Sequence, residues 1–223
     1  MDSCQELVDT SVNEIPVRGF LHRSTVSGAD CLVLTHGAGA NCESPLLAVL
    51  ANAFCASGVT VLRCDLPFRQ SRPHGPPPHG SAERDQNGLR AAIEFMRGHI
   101  AGRMFLGGHS YGGRQASMLA AAEPGLVEEL LLLSYPLHPP QRPDELRTKH
   151  FPLLQTPALF VHGTRDGFGS VAEMTAALKL IPARNELLPI PGAGHELINQ
   201  RNREAVPQLL AEAFRSFVNH GVT

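Results

Sequence analysis

The chain has 223 residues, of which 43% are hydrophobic and 18% charged, with a formal net charge of -2. That length suits one sizeable core, so a single globular domain over 1–223 is expected, and the charge balance offers no electrostatic case for nucleic acid or an anionic membrane. No apolar stretch approaches the ~20 residues that span a bilayer, and the acidic, polar N-terminus does not read as a signal peptide.

Five cysteines, Cys4, Cys31, Cys42, Cys55 and Cys64, are odd in number and contain no CxxC pair. Neither a disulfide framework nor a zinc site is indicated, and reduced thiols in a cytoplasmic protein are expected.

In chain order, Ser11 to Ser27 reads as one or two extended segments, a hairpin or an edge strand, because Pro16 suits an edge better than a sheet centre. Cys31 to Thr35 is a compact apolar run ending in His36-Gly37-Ala38-Gly39-Ala40-Asn41, the pattern of a buried strand feeding a Gly-rich loop. Ser44-Pro45 starts a helix to about Ser57, closed by Gly58. Val59 to Arg63 is the next strand. It enters the Pro-rich stretch Asp65 to Gly80, the one compositional break, read as a long surface loop because the alternation of elements continues beyond it. Ser81 to His99 is helical, with Leu89, Ile93 and Met96 on one face.

Arg103 to Ala122 carries the strongest signal. Met104-Phe105-Leu106 is strand-like, Gly107 to Gly113 is a turn, and an Ala/Met/Leu-rich helical segment follows. Gly108-x-Ser110-x-Gly112 therefore lies in the strand–turn–helix setting of a nucleophile elbow. The reason for the glycines is steric: side chains at Gly108 and Gly112 would collide with the neighbouring strand and helix. The turn lifts the serine hydroxyl to the carboxyl end of the sheet, where the free N–H groups of the helix start also point. Further strands are expected at Val127 to Ser134, Ala158 to His162 and Asn185 to Ile190. Helices are expected as a short one ending near His150, at Ser170 to Leu180 and at Glu204 to Asn219. The class is α/β: a mostly parallel central sheet with helices on both faces.

Sites in such sheets form where loops leave the carboxyl ends of strands. Four Gly-rich loops follow apolar runs here: His36–Gly39, Gly108–Gly112, Gly163-Thr164-Arg165-Asp166 and Gly192-Ala193-Gly194-His195. A serine hydroxyl is a poor nucleophile without a base. His195 can take its proton, and Asp166 can hold the imidazole in the right tautomer. The order Ser110, Asp166, His195 is that of an α/β-hydrolase rather than of chymotrypsin or subtilisin. Oxyanion donors are expected from the backbone N–H groups of Tyr111 and Ala38. The plainer alternatives are a helix cap for Asp166 and a solvated or core histidine for His195, one of 11. His36 and His162 read as loop organisers, and His109 as aimed away from the nucleophile.

These residues resemble the α/β-hydrolase superfamily from about Val12 to Asn219. Thr-His-Gly-Ala-Gly-Ala (35–40), Gly-Gly-Arg (112–114), Tyr-Pro-Leu-His-Pro-Pro (135–140) and Gly-Thr-Arg-Asp (163–166) are similar to the branch of testis-expressed and histone-acetyltransferase NSL-complex-subunit-like proteins, near the dienelactone hydrolase group. The resemblance implies the fold and, by position, Ser110, Asp166 and His195. Complex-subunit relatives in that branch are thought to act as scaffolds. Dienelactone hydrolases proper carry a Cys nucleophile where this chain has Ser110, so their substrate does not transfer.

The expectation is a serine hydrolase of small esters, acting without a cofactor or metal on a small-molecule substrate. Thioester, amide or lactone hydrolysis on the same residues, or a non-catalytic interaction module, are the alternatives. Ser134 to about Pro152, where many relatives insert a lid, is too short for a cap domain. Phe68, Tyr111, Tyr135, Leu137 and Phe168 are candidate walls, with Arg69, Arg72 and Arg165 available for a carboxylate although solvated surface is their plainer role. His74 and His79 lack the carboxylate or Cys partners of a metal cluster.

Overall fold

Five strands are buried at every position: β3 (Cys31–Thr35), β4 (Thr60–Cys64), β5 (Met104–His109), β6 (Glu129–Leu133) and β7 (Ala158–Gly163). The structure, a computed structural model describing residues 5–220, places them at the centre of an eight-stranded sheet. With β1 (Gln5–Val12), β2 (Ile15–His22) and β8 (Asn185–Ile190), the order is β1-β2-β4-β3-β5-β6-β7-β8. The pairs β1–β2 and β2–β4 are antiparallel, and every other pair is parallel.

Strand alternation explains why so many central residues are apolar. Leu131 and Leu133 of β6 enter a core with Leu47, Leu50 and Phe54 of α1 (Pro45–Ala56) and Leu210 and Phe214 of α6 (Ala205–Asn219). Leu130 and Leu132 enter the other. There they join Leu89, Ile93 and Met96 of α3 (Ala82–Arg97), Leu119 of α4 (Tyr111–Ala122) and Met174 of α5 (Val171–Leu178). A strand covered by helices on both faces needs apolar side chains on both.

The N-terminal segment forms a hairpin turned by Asn13 and Glu14, whose φ values of 50° and 67° suit a two-residue primed turn. Pro16 sits in β2, which is not the edge, but β4 pairs only with Gly19–His22, so Pro16 has a ladder on one flank alone. Two local expectations are corrected. The Pro-rich stretch is not loop throughout: it begins with a short helix α2 (Pro67–Ser71), started by proline at its first turn and packed against Gly88 of α3, where a Cβ would lie 2.4 Å from the Pro67 ring. No α-helix precedes His150. The segment carries four prolines between 136 and 143, Arg147 N–H bonds Leu137 O at 2.8 Å, and only a 3-10 turn at Phe151–Leu153 follows. Cys31, Cys42 and Cys64 are free and buried, and Cys4 lies outside the described residues. Among the described residues no helix is long and apolar enough to cross a membrane.

Candidate active site

Ser110 links β5 to α4 with φ 52° and ψ -115°, a left-handed backbone that a serine rarely adopts. The turn closes because its glycines lack side chains. A Cβ at Gly108 would lie 2.5 Å from Gly112 C, and one at Gly112 would lie 2.5 Å from His36 O. Ser110 N–H donates to Leu133 O at 2.8 Å, and Ser110 O accepts from Arg114 N–H at 3.0 Å, so the strained residue is tied to β6 and to α4.

His195 reaches Ser110 from the loop after β8, and Asp166 from the loop after β7. Gly163 permits that approach, because a Cβ there would meet Gly194 O at 2.4 Å and Ala193 O at 2.5 Å. His195 Nδ1 is 2.8 Å from Asp166 Oδ2, and His195 Nε2 is 2.8 Å from Ser110 Oγ. A carboxylate only accepts, so Nδ1 carries the proton and Nε2 is left to accept from the hydroxyl. Burial works to raise the Asp166 carboxyl pKa, but the hydrogen bonds from His195 and from Phe168 N–H at 2.8 Å outweigh it and hold it below its ordinary value. The Asp166 side chain is fully enclosed. It does not cap α5; Ser170 does, through a reciprocal bond with Glu173.

The other histidines organise the frame. His109 Nε2 donates to His195 O at 2.8 Å, and burial holds the His109 pKa below its usual value, so a neutral ring supports the loop that carries His195. His36 Nδ1 donates to Gly37 O at 2.8 Å while Nε2 accepts from Leu66 N–H. His162 Nε2 donates to Gly169 O at 2.7 Å. His36 and His162 thus hold loops, as expected, and His109 points past the serine.

The His36–Asn41 loop is held from outside by a residue given a different role above. Arg69, buried, donates to Ala38 O at 2.7 Å, Ala40 O at 2.8 Å, Gly75 O at 2.9 Å and Arg72 O at 3.0 Å. Its guanidinium is committed to carbonyls and is not free for a substrate carboxylate. Arg72 and Arg165 are exposed and border neither cavity beside Ser110. Tyr111, in the first turn of α4, has no carbonyl four residues back within the helix to receive its N–H. Its hydroxyl donates to buried Asp85 at 2.7 Å, and Asp85 also accepts from Phe68 N–H.

Two cavities flank Ser110. One of about 750 Å³ runs past Gly37–Asn41, His74 and His195, and the other, of about 560 Å³, past Pro77–Ala82, Tyr111 and Pro136; both touch Ala38, Ser110 and Phe168. Phe168 is a wall residue as expected, its ring 4.2 Å from that of His195. Three expected walls are corrected. Phe68, Tyr135 and Leu137 are core residues, each at most 2% exposed. Phe68 stacks edge-on to Tyr111, Tyr135 bonds Arg147 O, and Leu137 lies under Gly169. The roles of Arg69, Asp85 and His109 were not legible in the sequence, since carbonyl and backbone partners leave no pattern of residue types. Arg114, which entered the sequence reading only within the Gly-Gly-Arg run of the family resemblance, lies on the face of α4 beside the second cavity.

Comparison with known proteins defines the class. Residues 28–220 match the α/β-hydrolase domain family, and the chain belongs to it. The fold is similar to that of dienelactone hydrolase from Anabaena variabilis, with a TM-score of 0.75 and 23% identity over 96% of this chain and 98% of that one. It is also similar to Est1E from Butyrivibrio proteoclasticus, with a TM-score of 0.76 and 17% identity over 96% and 99%. A third likeness is XC6422 from Xanthomonas campestris, described as an a/b serine hydrolase without lid, with a TM-score of 0.66 and 17% identity over 95% and 94%.

Proposed function

We propose that this α/β hydrolase is a serine hydrolase that cleaves small carboxylic esters through an acyl-enzyme. The observation that carries the reading is the pair of 2.8 Å contacts joining Ser110 Oγ, His195 and Asp166. Ser110 Oγ attacks the ester carbonyl as its proton passes to His195 Nε2, and the carbonyl electron pair moves onto the oxyanion. Tyr111 N–H and Ala38 N–H receive that charge, and a loop pinned by Arg69 needs little reorganisation at that moment. The oxyanion collapses, the ester C–O bond breaks, and His195 returns the proton to the leaving alcohol. Water then attacks the acyl-enzyme, gives a proton to His195, and releases the acid while Ser110 recovers its hydrogen. Asp166 stays ionised throughout and stabilises the imidazolium. The branch position near NSL-complex-subunit-like proteins and a cytoplasmic setting belong to the same proposal.

Labelling with a fluorophosphonate serine probe tests it. Wild type reacts and Ser110→Ala does not. A folded wild type that fails to react excludes an activated serine and leaves the interaction-module alternative, whereas labelling that survives Ser110→Ala assigns the nucleophile elsewhere.

A further inference from the structure

The two cavities beside Ser110 differ in charge. The larger one includes two carboxylates, Glu43 and Glu196. The smaller one includes none, but it includes two arginines, Arg114 of α4 and Arg147 of the segment after β6. Neither arginine makes an ion pair among the described residues.

Its wall is also short of acceptors. Arg114 Nε and Gln115 Nε2 are buried with no hydrogen-bond partner, although Gln115 is fully enclosed and its oxygen accepts from Gln86 at 3.0 Å. Tyr111, Arg114 and Gln115 are spaced i, i+3 and i+4, so they share one helix face that begins at the nucleophile. Buried donors left unpaired are costly. The mutual repulsion of Arg114 and Arg147 adds to burial in lowering the Arg147 pKa, against a smaller opposing attraction from Glu145, which places the two like charges near one another.

We propose that this cavity is an anion-binding acyl pocket, and that the preferred substrates are esters whose acyl chain ends in a carboxylate. This rests on the serine-hydrolase reading. The orientation follows from the position of the base. His195 must hand its proton to the leaving oxygen, and it borders the larger, carboxylate-bearing cavity only. The alcohol therefore leaves on that side and the acyl chain lies on the arginine side. Carboxylate to guanidinium contacts are charge-assisted and can be bidentate, so an uncharged chain of equal length loses them.

Two fluorophosphonate probes with the same short alkyl chain, one ending in a methyl group and one in a carboxylate, test the pocket on purified protein. Labelling of Ser110 by the neutral probe establishes the activated serine independently. In wild type at low salt the carboxylate probe labels about tenfold faster or more, and the preference shrinks at ~1 M salt, where charges are screened. Arg147→Gln brings the ratio of the two rates close to one, and Arg147→Lys restores part of it. The loop fold survives both changes because Arg147 holds it through its backbone N–H to Leu137 and its carbonyl to Tyr135, its side chain adding only a long bond to Pro136 O at 3.4 Å. A wild-type ratio of one or below, or a preference untouched by Arg147→Gln, overturns the pocket while leaving the hydrolase reading intact. Labelling by neither probe removes both.

Discussion

Asp166 is the residue on which the electrostatics of the site converge. It accepts from His195 and from Phe168 N–H, and its side chain is sealed from solvent. Replacing it with Asn keeps the shape but lets an amide N–H face the ring, so the imidazole turns to the tautomer that cannot accept from Ser110. Asp166→Asn is expected to fold normally and to lower kcat by about four orders of magnitude, read from ester turnover beside a circular dichroism spectrum. Turnover within a few-fold of wild type would take Asp166 out of the mechanism. This residue was legible from sequence because a Gly-rich loop after an apolar run, in the right chain order, is a pattern of residue types. Arg69 was not, because its partners are the carbonyls of Ala38, Ala40, Arg72 and Gly75, and every residue has a carbonyl.

Among the elements, the junction of β7 with the loop after β8 decides whether the base and its partner meet. Gly163 ends β7 and is crossed by the backbone of Ala193 and Gly194 at distances that no Cβ tolerates. Gly163→Ala must push the His195 loop away, since the obstructing atoms are carbonyl oxygens rather than flexible side chains. A loss of about 2 kcal/mol or more in unfolding free energy is expected, together with a large fall in turnover. Gly167→Ala, four residues further along the same loop with nothing within 4 Å of the added carbon, is the control and should cost little stability. Equal behaviour of the two variants in urea melts and ester turnover would refute the packing argument. The elements themselves followed from periodicity. The exceptions are β1, most of which lies before the expected start at Ser11, α2, hidden in a Pro-rich run that reads as loop, and the absent helix before His150, where Arg147 N–H is taken by Leu137 rather than by a helical neighbour.

At the scale of the whole molecule, two histidines store stability as neutral groups. Burial, aided by Arg63, lowers His22 to about 4, and burial, aided by Arg114, lowers His150 to about 4. Unfolded histidine titrates near ~6.5. Between those values these groups bind more protons in the unfolded chain than in the folded one, so their contribution to stability falls as the pH drops from about 6.5 to about 4. Urea midpoints measured at intervals across that window should decline on acidification, and His150→Gln should flatten part of the slope. A midpoint constant across the window would show that neither histidine is held neutral in the fold.

Composition and periodicity determined the layered α/β architecture, because strands buried on both faces must be apolar throughout and helices buried on one face must be apolar at every third or fourth position. Chain order and glycine spacing pointed to Ser110, Asp166 and His195 as the proposed nucleophile, orienter and base, since only certain residue types can occupy a strained turn or serve in those roles. What only the tertiary structure decided is which side chains face the cavities. Phe68, Tyr135 and Leu137 lie behind the site rather than in it, while Arg114 and Arg147, 33 positions apart in sequence, border one cavity. The physical reason is that hydrophobicity commits a residue to burial without saying on which side of a wall, and the charge of a pocket is a sum over residues that only the folded chain brings together.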